Sequence, residues 1–218
     1  MATIGLIPAS GSASRLNGIP KFMLPISGSQ TLIEWHTEQM LKTCEGVIIS
    51  TKKEWINVVK NLKFPSNVDF VEKEPSTMSD AINTMAKYSN SLYIVGMPDT
   101  YMPESNGEFY QKLSKSTADL TLALWKCEKD LKGRVGQVDF DSQWNVIDVV
   151  DKDPLCKYKY MWGALAFQGI SIDPKFSHPG IQVNPLIYSG ADVKCFKANG
   201  KYIDAGTFGG LKELYKSC

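Results

Sequence analysis

The chain has 218 residues, 43% of them hydrophobic, with 24 basic and 23 acidic side chains and a formal charge of +1. Such a composition suits a packed globular protein with one sizeable core and excludes a disordered chain. The balanced charge gives no reason to expect nucleic acid or an anionic membrane as a partner, so any phosphate-binding charge must be local.

Residues 4–8 form a short apolar run that reads as a strand and stops at a small-residue loop, 9–14. Residues 32–43 carry Leu32, Ile33, Trp35, Met40 and Leu41 at helical spacing. Gly46 punctuates, and 47–50 reads as a buried strand. Residues 53–62 read as a helix ending before Pro65, 68–71 as a strand, and 79–88 as a helix with Asp80 near its N-terminus, where the helix dipole favours an acid. A fully apolar strand follows at 92–96, then a helix at 108–115 and a strand at 118–125. Residues 135–140 and 144–150 read as paired strands with a turn at 141–143. Residues 161–167 are a further strand, 184–189 a short helical piece, 193–196 and 201–203 strands flanking a turn at Asn199-Gly200, and 211–216 a terminal helix. Strand–helix alternation in the first half predicts a mainly parallel sheet with helices on both faces; the second half adds hairpins to the same sheet. No linker or repeat interrupts the chain, which predicts a single domain over 1–218.

The opening residues lack a basic segment, and Pro8 and Gly11 interrupt their apolar run, so they do not read as a signal peptide. No stretch reaches the ~20 apolar residues of a membrane helix. Cys44, Cys127, Cys156, Cys195 and Cys218 are scattered and form no C-x-x-C pair. They read as reduced, mostly buried thiols of a cytoplasmic protein.

Ligands of open parallel sheets bind beyond the carboxyl ends of the strands, and several chemistry-bearing residues lie there. The loop Pro8-Ala9-Ser10-Gly11-Ser12-Ala13-Ser14-Arg15-Leu16 has small side chains that let backbone N–H groups approach phosphate oxygens. Arg15 adds a fork of donors and Lys21 a point charge, a pair suited to a triphosphate and its leaving pyrophosphate. The loop is neither a Walker loop nor a dinucleotide fingerprint, and its composition alone fits an ordinary turn with two surface cations equally well. Asp99 follows the apolar strand 92–96, and Asp204 follows 201–203. Each suits a magnesium ion bridging phosphates, and Asp99 also suits a loop aspartate capping the backbone. His36 and His178 are isolated in sequence and make a poor case for a general base. Trp125, Trp144 and Trp162 lie in strand-like runs and read as core or pocket wall.

In this order, the pieces resemble the sugar-phosphate nucleotidyltransferases, among them the glucose-1-phosphate thymidylyltransferases. Their Leu-Ala-Gly-Gly-x-Gly-Thr-Arg-Leu run followed by Pro-Lys stands here as Ile7-Pro8-Ala9-Ser10-Gly11-Ser12-Ala13-Ser14-Arg15-Leu16, then Pro20-Lys21. Gly96-Met97-Pro98-Asp99 is similar to their Gly-Asp segment, and Val150-Asp151-Lys152-Asp153-Pro154 to their Glu-Lys-Pro segment. Trp162-Gly163-Ala164-Leu165-Ala166-Phe167 resembles their Gly-Ile-Tyr-x-Phe strand, and Tyr202-Ile203-Asp204-Ala205-Gly206-Thr207 their Trp-x-Asp-x-Gly-Thr ending.

The resemblance implies a Rossmann-like, GT-A-like three-layer α/β sandwich, with magnesium as cofactor. It implies that Ala9, Ser10, Gly11 and Ser12 contact the nucleotide, that Arg15 and Lys21 hold the triphosphate, and that Glu72, Thr77 and Met78 lie along the base. Asp99 and Asp204 would bind magnesium. Lys152 would serve the reaction, and Gly136, Asp151 and Gly163 would face the sugar phosphate. The implied partners are a nucleoside triphosphate and a phosphorylated small molecule, and a homo-oligomer is compatible with the resemblance. The short gap from Arg15 to Lys21 is nearer to cytidylyltransferases of the isoprenoid pathway. Glu72 replaces a base-reading glutamine, Thr77 a glycine, and Asp151 a glutamate. A cytidylyltransferase acting on a polyol, choline or amino-alcohol phosphate is the alternative, and a catalytically silent nucleotide-binding regulator is another.

Overall fold

The computed structural model describes residues 1–11, 18–87 and 90–217. Strand β1 (Ala2–Pro8) leads through a short hairpin, β2 (Pro25–Ser27) and β3 (Gln30–Thr31), into helix α1 (Leu32–Leu41). A capping box starts α1: Thr31 accepts from the Glu34 backbone N–H while the Glu34 carboxylate accepts from the Thr31 N–H at 2.8 Å. Such caps are worth about 1 kcal/mol. Then come β4 (Gly46–Thr51), α2 (Lys53–Lys60), β5 (Val68–Glu72), α3 (Met78–Met85) and β6 (Ser91–Gly96). The predicted end of α3 at Tyr88 lies outside the described residues.

β4 and β6 pair in parallel with β1 on its two edges, and β5 pairs in parallel with β4. The strands therefore run outward from β1 through β4 to β5, and the chain returns to lay β6 on the other side of β1. Right-handed crossovers put helices on opposite faces when the direction of winding reverses. Accordingly α1 and α2 supply Leu32, Ile33, Met40 and Val59 to one core with Ile7 and Ile49, while α3 supplies Ile82 and Met85 to a second core with Leu6 and Val95. Adjacent residues of one strand thus serve opposite cores, as the pleat requires.

The rest of the chain extends the sheet: β8 (Leu120–Lys126), β9 (Gly136–Phe140), β10 (Val146–Asp151), β11 (Tyr160–Phe167) and β12 (Val193–Lys197). One edge of β11 is shared, pairing with β9 through Tyr160 and Met161 and with β6 through residues 164–167; its other edge carries β8. The result is a mixed nine-stranded sheet in which β10 and β11 run against the remaining strands. Helix α4 (Glu108–Leu113) joins the first core and α5 (Pro179–Tyr188) the second. The three-layer α/β architecture is the predicted one. No helix among the described residues is long and apolar enough to cross a membrane.

Three local expectations need correction. Only β9 and β10 form the predicted hairpin type of pairing. The run 193–196 pairs in parallel with β8 instead, its Cys195 opposite Leu122. The run 201–203 leaves the main sheet: β13 (Ile203–Asp204) pairs with β7 (Thr100–Tyr101) in a two-stranded ribbon, and α6 (Phe208–Lys216) follows. The helical piece at 184–189 begins much earlier, at Pro179, because proline is well placed in the first turn of a helix, where its missing N–H is not needed.

Candidate active site

The return of the chain across β1 creates a switch point between β1 and β6, and a crevice opens beyond the carboxyl ends of both. The loop after β1 enters it from one side. Ala9 N–H donates to Ser50 O at 2.8 Å, and the buried Ser10 hydroxyl donates to that of Ser50 at 3.4 Å. Gly11 is exposed, and among the described residues nothing lies within 4 Å of where its Cβ would stand. Ser12 and Arg15 lie outside the described residues. Lys21 opens a 3-10 turn directly after Pro20, and its Nζ stands 3.3 Å from Asp99 Oδ2.

Asp99 follows β6 and Asp204 ends the ribbon strand β13. The ribbon pairs Asp204 with Thr100, and Ala205 N–H donates to Asp99 O at 2.9 Å, which brings the two aspartates side by side. Gly206 N–H donates to Asp204 Oδ1 at 2.8 Å. Gly206 lets the three charged ends gather over it: a Cβ there would lie 2.7 Å from Lys21 Nζ, 2.8 Å from Asp204 Oδ1 and 3.2 Å from Asp99 Oδ2 and would push them apart. The separation of the two carboxylate oxygens is therefore bounded by the sum of the last two distances. Paired hard oxygen donors with an ammonium beside them fit a magnesium ion that takes its remaining ligands from phosphate and water. Among the described residues no group of three or more His, Cys, Asp or Glu could hold a metal without such outside ligands.

A buried histidine props the ribbon from below. His36 Nε2 lies 2.8 Å from Thr100 O and Nδ1 lies 2.7 Å from the Tyr110 hydroxyl. A carbonyl can only accept, so Nε2 carries the proton and Nδ1 accepts from Tyr110. Burial pushes the His36 pKa down to about 4, against the opposing pull of the Thr100 carbonyl and the Asp99 charge. The imidazole is thus neutral at physiological pH. Burial likewise holds the Tyr110 and Tyr202 hydroxyls well above their ordinary value.

Next to the carboxylates lies a cavity of about 210 Å³ whose wall includes Met78, Asp99, Gly136, Asp151, Lys152, Gly163 and Asp204. Asp151 ends β10, and Lys152 adopts a left-handed φ of 51°. Consecutive strand residues normally face opposite ways. The left-handed turn at Lys152 breaks that alternation, so both side chains reach one cavity, with Lys152 Nζ 3.8 Å from Asp151 Oδ2. Gly136 and Gly163 line the wall by making room for rings. A Cβ at 136 would meet Trp162 Nε1 at 2.3 Å, and one at 163 would meet the Tyr202 ring at 2.3 Å and Trp125 at 2.9 Å.

The predicted base-side residues are split. Met78 lines the cavity, Thr77 caps α3 by accepting from Asp80 N–H at 3.0 Å, and Glu72 is exposed at the end of β5 and is not part of this wall. Arg134, Trp162, His178 and Tyr202 line the cavity without having been singled out for it, apart from the reading of Trp162 as pocket wall. His178 Nε2 lies 3.2 Å from Asp151 Oδ2. Its position just before Pro179, at a helix start, was the one available signal. Cys44, Cys127, Cys156 and Cys195 are buried free thiols, as expected; Cys218 lies outside the described residues.

No protein-family model and no curated protein sequence matches the chain. Solved structures do, along its whole length, and they define its fold as that of the nucleotidyltransferases. Among them is a UDP-glucose pyrophosphorylase complexed with UDP-glucose, at 17% identity and a TM-score of 0.80, covering 100% of this chain and 98% of the other. The inositol-1-phosphate CTP transferase of T. maritima matches at 15% identity and a TM-score of 0.75, covering 98% and 95%. HddC from Yersinia pseudotuberculosis, complexed with GMP-PN, matches at 25% identity and a TM-score of 0.69, covering 100% and 98%.

Proposed function

We propose that this chain is a single-domain, cytoplasmic, magnesium-dependent nucleotidyltransferase that joins a nucleoside monophosphate to a sugar 1-phosphate and releases pyrophosphate. The observation that carries the reading is the convergence of Lys21, Asp99 and Asp204 at the switch point, beside a cavity walled by Asp151 and Lys152. In the reaction an acceptor phosphate oxygen attacks the α-phosphorus of the triphosphate. The bond from that phosphorus to the bridging oxygen breaks, and pyrophosphate leaves with the electron pair.

The loop backbone at Ala9, Ser10, Gly11 and Ser12 would cradle the nucleotide. Arg15 and Lys21 would hold the triphosphate and stabilise the charge that grows on the leaving group. Glu72, Thr77 and Met78 are assigned to the base side, with Met78 the one of the three that reaches the cavity. Lys152 would orient the acceptor phosphate, and Asp151 the rest of the acceptor, between walls shaped by Gly136 and Gly163. Magnesium, held by Asp99 and Asp204, would supply charge neutralisation between the phosphates. Positioning and electrostatics suffice, and no protein nucleophile is needed.

The structural neighbours span UDP-glucose, inositol 1-phosphate with CTP, and GMP-PN, so the fold leaves both base and acceptor open. The short Arg15–Lys21 gap and the inositol-phosphate neighbour favour, as a second reading, a cytidylyltransferase of a polyol phosphate. Pyrophosphate release, measured with magnesium across five triphosphates and a panel of phosphorylated sugars and alcohols, tests both. Release that requires one triphosphate, one acceptor and magnesium, and that disappears in Asp99→Ala, is expected. Nucleotide binding with no release for any acceptor would replace this reading with that of a silent regulator.

A further inference from the structure

Both carboxylates of the site hang on a ribbon of two residue pairs, Ile203 with Tyr101 and Asp204 with Thr100. So short an antiparallel ladder is marginal on its own. Magnesium tolerates little error in the placement of its ligands, since it requires near-octahedral oxygens at about 2.0–2.1 Å. The ribbon therefore has to be held from outside itself.

Helix α1 holds it through two consecutive side chains. The rings of Trp35 and Tyr101 meet edge to face, with centroids 5.2 Å apart and planes inclined by 76°. His36 Nε2–H donates to Thr100 O at 2.8 Å. Neighbouring helix residues project roughly 100° apart, so the two grip different residues of β7. The start of α1 is itself anchored by the Thr31–Glu34 capping box.

The other side of the imidazole leads back to the sheet. The Tyr110 hydroxyl of α4 donates to His36 Nδ1 at 2.7 Å. That hydroxyl also rests on the last residue of β6, where a Cβ at Gly96 would collide with it. One hydrogen-bonded string thus meets the chain at Gly96 and at Thr100, and Asp99 lies between these two points. The hold passes on to Asp204 through Ala205 N–H, which donates to Asp99 O at 2.9 Å, and through the Asp204–Thr100 pair. The carbonyl needs a donor and the hydroxyl proton an acceptor, and a neutral imidazole supplies one of each on a rigid ring. His36, Tyr110 and Thr100 are all buried, so a bond lost here is not made good by bulk water.

We propose that His36 is a positioning residue for the divalent ion: steadied by Tyr110, it fixes the stretch from Gly96 to Thr100 and with it the spacing of Asp99 and Asp204. The inference deepens the proposed function and rests on it for the ion, not for the choice of base or acceptor.

The test titrates Mn2+ into the protein without nucleotide and counts the free ion by electron paramagnetic resonance. Asp204→Asn marks the site by abolishing the binding. His36→Leu keeps the bulk and loses both hydrogen bonds, and it is expected to weaken Mn2+ binding about tenfold. His36→Gln offers an amide N–H to Thr100 O and an oxygen to Tyr110, and it is expected to stay within about twofold of the wild type. Tyr110→Phe deletes only the hydroxyl and leaves Nδ1 without its donor; a loss of roughly threefold is expected, and this variant carries the test should His36→Leu fail to fold. Val59→Ala loosens the same core from α2 and is expected to leave Mn2+ binding unchanged. Equal affinities in wild type, His36→Leu and Tyr110→Phe overturn the proposal and leave the transferase reading intact. So does a loss in Val59→Ala or His36→Gln as large as that in His36→Leu. A wild type that binds no Mn2+, or binds it undisturbed in Asp204→Asn, overturns the proposal together with the magnesium reading. The expected order of affinities in a protein that releases no pyrophosphate from any triphosphate keeps the positioning role and removes the transferase.

Discussion

Replacing Gly136 by alanine separates two roles that a wall glycine can have. The backbone there has no positive φ, so alanine is conformationally acceptable, and it restricts the unfolded chain by about 0.4–1 kcal/mol in favour of folding. The obstacle is the Trp162 indole. The new methyl would sit 2.3 Å from Nε1 and 2.9 Å from Cδ1, whereas ordinary contact begins at 3.4 Å. The ring must retreat by the difference, and Gly180 and His178 limit how far it can go. Overpacking costs about 1–3 kcal/mol, and a ring held on its other side belongs to the upper half of that range, for a net loss of roughly 1–2 kcal/mol after the backbone gain. In a chain of this size that lowers Tm by roughly 2–8 °C. Thermal unfolding followed by circular dichroism reads it directly. Adding Trp162→Ala removes both clashing atoms, so on that background Gly136→Ala should cost no more than half of what it costs in the wild type, a coupling that a double-mutant cycle detects. Gly136→Ala unfolding at the wild-type temperature, or strictly additive effects in the cycle, would show that the indole is not pinned and that the glycine serves ligand approach instead.

Two further expectations concern buried titratable groups. The His36 pKa is depressed from 6.5 to about 4, so the unfolded chain binds the proton first. The stabilisation is present above pH 6.5 and is lost as pH falls toward 4, by about 3 kcal/mol in all. Denaturant unfolding between pH 7 and 4 should show that slope in the wild type and lose it in His36→Gln; equal slopes would refute a neutral imidazole at this position. Burial raises the Cys44 and Cys195 thiols to about 12, so both should escape iodoacetamide at pH 8 in the folded protein and react once it is unfolded. Peptide mass mapping that finds either one alkylated under native conditions would contradict their burial.

The parallel half of the fold was legible because each strand there is an apolar run bounded by turn residues and separated by helical spacing. The strand 92–96 is buried along its whole length and reads as such. The ribbon strand β7 was not legible, because two residues carry no period, and the strand read at 201–203 was legible only without its partner. Nor was the route of β12. Asn199-Gly200 suggests a hairpin, but β8 offers an open edge where Leu120 and Leu122 align with Val193 and Cys195, and the parallel pairing wins. Helix α5 was shortened in the reading by Pro179, Gly180 and Pro185, although Ser189 still closes its last turn on the Pro185 carbonyl. At the site, Asp99 and Asp204 stood out by their position at strand ends and Lys21 as a charge after the small-residue loop, while Asp151 and Lys152 were legible only through the family resemblance. His178 did not, because a lone histidine before a proline has no pattern, and its neighbours in space, Asp151 and Trp162, lie far away along the chain.

The β7–β13 ribbon gives the chain a timetable. The nine-stranded sheet is complete once Lys197 has been placed, yet Asp204 and the glycine that makes room for it come later, and their partner strand was made about a hundred residues before. A chain emerging from the ribosome would therefore own its sheet, its second core and the first carboxylate while still lacking the second carboxylate and Ile203, Ala205 and Leu214 of the first core. It would acquire the pair only at the final closure, when a two-rung ladder zips an old segment to a new one. The scaffold of the sheet and the pair of carboxylates are thus completed by different parts of the chain, the second only when β13 has found β7.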